Sequence, residues 1–412
     1  MNLTRNQMII IGIGFLIVAA IVLLFLGVIP GLSTPASQNP SVKLTAWGIE
    51  DESSFQTLID GYEKIRPNVK IAYTKIPEGT YEASLISALA AGRGPDIFML
   101  KNTWLFKHFD KIAPAPSSQF TATELEQFFP RVAEQDFVLA GKIYALPLYI
   151  DTLALIYNKD IFDTKSIALP PKTWQEFQNF ISQLREENSQ NQITKAAAAI
   201  GGSETSIDRA SDLLNNIFLQ FGNPTISSDG GVRFDDNGSN AFNFYIQFVN
   251  PASPYYTWSD SLPYSIDSFS NGKTAMIFNY SQAIPAIKSK NPFLNIGVTE
   301  MPQFAGVNQP VNNASYWGLS VSRQSPSWTW AWDFIINTTG NSDIAGSYLQ
   351  TSHKPPALRV LISRYLNDPE LGVFAKQALT ARSWHEPGGD TATLDARTAH
   401  TRPHSTRRRL EV

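Results

Sequence analysis

Between residues 42 and 100 the chain alternates between strand-like and helix-like hydrophobic spacing, and this restricts the fold more than any other feature. Val42-Lys43-Leu44-Thr45-Ala46-Trp47 alternates every second residue, as a half-buried strand does. Phe55, Leu58, Ile59 and Tyr62 then recur at helical spacing until Pro67 stops the run. Residues 69–73 (VKIAY) read as a second strand, residues 81–91 as a helix closed by Gly92, and residues 96–100 (DIFML) as a third strand. Strand, helix, strand, helix, strand in this order predicts a parallel sheet with helices on its faces.

The pattern returns further along with longer helices. Thr173 is placed to cap a helix and Glu176 to complete a capping box, so a helix runs from there towards Leu184. Further helices are predicted over 208–221, ended by Gly222-Asn223-Pro224, and over 240–249, 328–337 and 369–381. Residues 274–279 (TAMIFN), 295–299 (NIGVT) and 317–322 (WGLSVS) read as strands. With 412 residues the chain exceeds the size at which one core usually divides, so two lobes are expected.

Both ends differ from this body. Residues 8–28 hold 21 residues without a charge, and a helix of that length spans ~30 Å, the thickness of a hydrocarbon core. Arg5 and the amino terminus are the charges ahead of it, which favours that end staying in the cytoplasm. An uncleaved single-pass anchor over 1–29 is the preferred reading. A cleaved signal is the alternative, with a small-residue pattern at Thr34-Pro35-Ala36. Either way the bulk of the chain is expected outside the cytoplasm. Residues 30–41 read as a flexible polar linker. Residues 388–412 carry Arg397, Arg402, Arg407, Arg408 and Arg409 but no Lys and no Phe, Tyr or Trp. They read as disordered or foreign to the fold, the product of a frame error or a truncated gene end; a basic arm touching anionic lipid is the alternative.

Composition excludes several functions. There is no cysteine, so disulfides, thiolate catalysis, zinc–thiolate sites and a lipidated N-terminal Cys are ruled out. The formal net charge is −3, with no bulk basic field for nucleic acid. His-Glu-x-x-His, Gly-x-Ser-x-Gly, the phosphate-binding Gly loop and Gly-x-Gly-x-x-Gly are all missing, and His108 and His353 read as surface or packing residues. No cofactor and no metal is predicted.

Four segments together resemble the family 1 extracellular solute-binding proteins, whose members include binders of maltose and maltodextrins. Ala91-Gly92-Arg93-Gly94-Pro95-Asp96-Ile97 is similar to the family's glycine-rich turn into a strand. Leu155-Ile156-Tyr157-Asn158-Lys159-Asp160, Pro171-Lys172-Thr173-Trp174-Gln175-Glu176 and Phe269-Ser270-Asn271-Gly272-Lys273-Thr274-Ala275-Met276 follow in the family's order. Each has a local structural job as well: Gly92 and Gly94 allow the tight turn, and Pro95 extends the residue before it.

The resemblance implies an α/β, two-lobe periplasmic-binding-protein fold with the ligand between the lobes. Crossings are expected near 149–153, 295–298 and 325. Lobe one would comprise 42–150 plus 297–325, and lobe two 151–296 plus 326–387. The implied function is the monomeric substrate-binding protein of an ABC importer, binding a sugar or oligosaccharide and delivering it to permease subunits.

A sugar needs aromatic plates for its faces and planar polar groups for its hydroxyls. Trp47 and Glu50 follow the first strand, and Asn102, Thr103 and Trp104 follow the third, where open α/β sheets bind ligands. Tyr316 and Trp317 lie near the lobe boundary, and Trp258 sits with Tyr255 and Tyr256 in a Pro/Ser-rich loop. The resemblance adds Asp151 at the first crossing, Tyr280 after a strand, and Trp384. Core packing is the competing reading for each aromatic. Two other functions stay open: a secreted glycosidase using two carboxylates, and a membrane-tethered solute sensor.

Overall fold

The computed structural model describes residues 41–222, 236–306 and 309–383. The anchor expected over 8–28, Trp384 and the tail at 388–412 lie outside the described residues. Among the described residues no helix is long and apolar enough to cross a membrane.

The alternation at the start of the chain builds the first sheet. Strand Val42–Gly48 lies between Val69–Lys75 and Ile97–Lys101 and runs parallel to both. Its Leu44 and Ala46 are buried while Lys43 and Thr45 are exposed, the alternation visible in the sequence. Helices Glu52–Ile65 and Glu78–Ala90 are the crossovers. Asp96 fastens the turn: its Oδ2 accepts from the Thr45 amide at 2.8 Å and its Oδ1 from the Ser325 hydroxyl at 2.6 Å. A strand from much later in the chain, Trp317–Ser322, joins antiparallel to Ile97–Lys101, pairing Ser320 with Phe98.

The second sheet orders Glu186–Glu187, Ile193–Ala198, Thr274–Asn279, Ala154–Asn158 and Ile296–Thr299. Its core holds Trp174, Phe177, Ile181 and Phe278. The capping box forms: the Thr173 hydroxyl accepts from the Glu176 amide at 3.1 Å, and the Glu176 carboxylate accepts from the Thr173 amide at 3.2 Å.

A third, three-stranded sheet joins the lobes. Asp151–Thr152 pairs antiparallel with Asn312–Ser315, which pairs in parallel with Ala381–Arg382. Gln377 pins the junction, donating to Thr152 Oγ1 and the Leu153 carbonyl at 3.0 Å and accepting from the Met301 amide at 2.9 Å.

The expected division of the chain needs correction at three places. The sequence reading puts residues 326–387 in lobe two, but helices Trp328–Thr339, Ser342–Ser352 and Arg359–Tyr365 belong to lobe one, where Trp332, Phe334, Tyr348, Leu349 and Leu361 join the core of Leu44, Phe55 and Tyr62. Conversely Ile296–Thr299 pairs with Ala154–Asn158 in the second sheet, so the second crossing falls at Asn312–Ser315 and not near 295–298. The third falls at Ala381–Arg382, not at 325. An apolar helix stripe declares that it needs a partner surface without saying which sheet supplies it.

Candidate functional site

The connecting strands line a narrow crevice walled by both lobes and closed down to about 10 Å³, room for about one water molecule and not for a solute until the lobes part. Lobe one contributes Glu78, Tyr149 and Trp317, and the connecting strands Asp151 and Ser315. Lobe two contributes Arg209, Tyr280 and Gln282.

Asp151 is almost fully buried and ties the junction to lobe two. Its carboxylate accepts from the Ser281 amide at 3.0 Å, the Ser281 hydroxyl at 2.7 Å and the Thr152 amide at 2.9 Å. Burial pushes its pKa up to about 6, against the lowering effect of those hydrogen bonds and the Lys354 charge. Tyr280 is buried across the cavity. Its hydroxyl accepts from Asn313 Nδ2 at 2.9 Å and is hydrogen-bonded with Asp212, so lobe two and the second connecting strand meet at this phenol.

On lobe one, Trp317 meets Trp104 edge-on at 5.0 Å between ring centres and Tyr81 at 5.5 Å. Trp104 thus backs the ring that faces the cavity. Gly318 is required here, because a Cβ would fall 2.7 Å from the Leu146 carbonyl oxygen and from the Phe137 ring. Glu50 is buried beside the cavity wall, where its carboxylate accepts from Lys354 Nζ at 2.5 Å. That ammonium also lies 4.0 Å above the Tyr149 ring. Trp47 and Thr103 are half-buried at the ends of their strands and are not among the cavity-lining residues.

The structure therefore brings Asp151, Tyr280 and Trp317 together, with Glu50 and Trp104 behind them. Three other candidates have different work. Trp258 is fully buried in lobe two, its indole N–H donating to Ser206 Oγ at 3.0 Å. Tyr316 points into lobe one, opposite to Trp317, and its hydroxyl donates to Asp136 Oδ2 at 2.6 Å. Asn102 belongs to the same buried network, donating to Ser383 Oγ at 2.8 Å and to Asp136 at 3.3 Å. Ser383 also donates to Asp136 at 2.5 Å, so this carboxylate fastens the end of the third connecting strand to lobe one.

Burial pushes Asp136 up to about 7, although Ser383, Tyr316 and Asn102 all favour its ionised form. Its Oδ1 is sealed and has no hydrogen-bond partner. The folded carboxyl thus keeps its proton up to about pH 7, whereas the unfolded one releases it near 3.8. Between those values the folded state binds more protons, so stability present below about pH 4 is lost as the pH rises through 7. Asp136→Asn is expected to flatten this profile by roughly 2–3 kcal/mol between pH 5 and 8. Urea unfolding at the two pH values checks it, and equal pH dependence in both proteins would refute it.

Sequence reasoning missed Glu78, Tyr149, Arg209, Gln282 and Ser315. Glu78 opens a helix directly after Pro77 at the rim of the first sheet, a placement the sequence could have offered. Among the described residues no group of three His, Cys, Asp or Glu side chains could hold a metal ion.

Two α/β lobes, three connecting strands and a polar, aromatic cavity between them define a bilobal binding protein. The profile of the bacterial extracellular solute-binding proteins matches residues 46–341, and the chain belongs to that family. The maltotriose-binding protein of Pyrococcus abyssi is 24% identical over 335 residues, covering 77% of this chain and 65% of that protein, so the chain spans a little under two thirds of that relative. Among solved structures, a cyclo/maltodextrin-binding protein complexed with maltotetraose has TM-score 0.69 at 17% identity, covering 89% of this chain and 94% of that one. The sugar-binding protein MalE of Xanthomonas citri has TM-score 0.68 at 19% identity, covering 83% and 86%. The family and these proteins are binders rather than enzymes, which sets aside the glycosidase alternative.

Proposed function

We propose that this chain is the extracytoplasmic binding component of an ABC importer, and that the crevice between its lobes opens to take a sugar or short oligosaccharide for delivery to a membrane permease. The observation that carries this reading is the convergence of Asp151, Tyr280 and Trp317 from the junction and both lobes on one cavity. A carboxylate accepts hydroxyl protons, and aromatic faces meet sugar C–H surfaces. A solute touching both lobes favours the closed arrangement because its contacts exist only there. The relatives point the same way, since those compared bind maltotriose and maltodextrins by name. Anchoring by residues 8–28 belongs to the same proposal.

Calorimetric titration of the protein with maltose, maltotriose, tagatose and mannotriose tests the ligand class. One-to-one binding of at least one of them is expected, and no heat with any sugar, against binding of an amino acid, would overturn the sugar assignment. Loss of uptake of that sugar on deleting the gene would support the transport role, and unchanged uptake would favour the tethered sensor.

A further inference from the structure

The residue in the cavity with the most unusual setting is a cation. Arg209 directly precedes helix Ala210–Gln220 with φ 64° and ψ 31°, a left-handed conformation that arginine rarely adopts. The same position sets a positive charge at the positive end of a helix. Strain of this kind persists where the surroundings over-determine it and concentrates at ligand clamps. The side chain reaches into the cavity and its guanidinium lies 5.8 Å from the Tyr280 ring centre. Its Nε–H is sealed from solvent and has no hydrogen-bond partner. Burial would lower its pKa, yet Asp208, Asp212, Tyr280 and Glu78 raise it overall. Of these, Glu78 comes from the opposite lobe.

We propose that Arg209 is a solute-contacting residue whose Nε–H is reserved for an oxygen of the bound solute, and that Glu78, which lines the same crevice from the other lobe, attracts it across the cleft. The inference rests on the cavity being the solute site. A sealed donor without an acceptor is unfavourable, and a solute oxygen removes that cost. Asp208 and Asp212 of its own lobe supply most of the negative potential at Arg209 and Glu78 a smaller part, so an uncharged hydroxyl or ether oxygen suffices. Because Glu78 and Arg209 sit on different lobes, their attraction also biases the lobes towards each other before any solute arrives.

The test uses three variants. Arg209→Ala is expected to weaken maltotriose binding about tenfold or more. Arg209→Lys keeps the charge but lacks an Nε–H, and is expected to weaken it nearly as much; full rescue by lysine would overturn the donor role. Equal binding by wild type and Arg209→Ala would overturn the inference altogether. Melting temperatures guard against misfolding, and Arg209→Lys serves if the alanine variant does not fold. A ligand-free arm separates this inference from the sugar assignment. The chain has no cysteine, so Lys64→Cys and Gln183→Cys, exposed on the two lobes, can carry spin labels. Glu78→Gln and Arg209→Ala are each expected to lengthen the inter-lobe distance without solute. If wild type binds no saccharide, the sugar assignment fails while a lengthened distance still supports the pair; an unchanged distance overturns it.

Discussion

Asp151→Ala is expected to remove solute binding almost completely, costing about 2–5 kcal/mol of affinity, as truncation of one partner in a buried, hydrogen-bonded charge set does. The carboxylate lies in the first connecting strand and accepts three hydrogen bonds, two of them from Ser281 of lobe two. Removing it leaves the Ser281 amide and hydroxyl buried without their acceptor. It also removes the acceptor group at the cavity floor. Stability should change less than affinity, because relief of a buried negative charge offsets part of the lost hydrogen bonding. Calorimetry with the tightest-binding saccharide, paired with thermal melting, checks both halves. A variant that binds within threefold of wild type would remove Asp151 from the site.

The second large effect concerns the lobe that carries Tyr280. Trp174→Ala is expected to destabilise the protein by about 3–5 kcal/mol, the usual loss for truncating a fully buried large aromatic side chain. Trp174 packs against Phe177 at 5.3 Å, Phe244 at 5.2 Å and Phe278 at 5.6 Å. Its indole N–H donates to Gln220 Oε1 at 2.6 Å, and Gln220 in turn donates to the carbonyls of Pro302 and Val311 at 3.0 and 3.1 Å. The Val311 carbonyl adjoins the second connecting strand, and that of Pro302 lies ten residues ahead of it. Urea unfolding followed by far-ultraviolet circular dichroism should show a lower midpoint or a separate early transition of lobe two. A midpoint unchanged from wild type would contradict the packing described.

Local order was legible wherever one segment determines its own structure. The alternation of residues 42–47, the helix stripe through Phe55 and Tyr62, and the capping box at Thr173 and Glu176 need only their neighbours in the chain. Strand Thr274–Asn279 is buried throughout and has the bounds read from its apolar run. The allotment of helices to lobes was not legible, because Trp332 and Tyr348 advertise burial without naming the sheet they cover. The opposite directions of Tyr316 and Trp317 were available in principle, since neighbouring residues of extended chain face opposite sides, so only one could meet the cavity. Trp258 shows the limit of reading a loop from its composition: its ring fills the lobe-two interior. Arg209 carried no signal at all, because its distinction is a backbone angle and an unmet donor, neither of which residue type reveals.

The most direct measurement is a crystal structure of the protein grown with its tightest-binding saccharide. Density for the sugar is expected between Tyr280 and Trp317, within hydrogen-bond distance of Asp151, touching both lobes at once. A sugar bound to one lobe only, or outside this cavity, would contradict it.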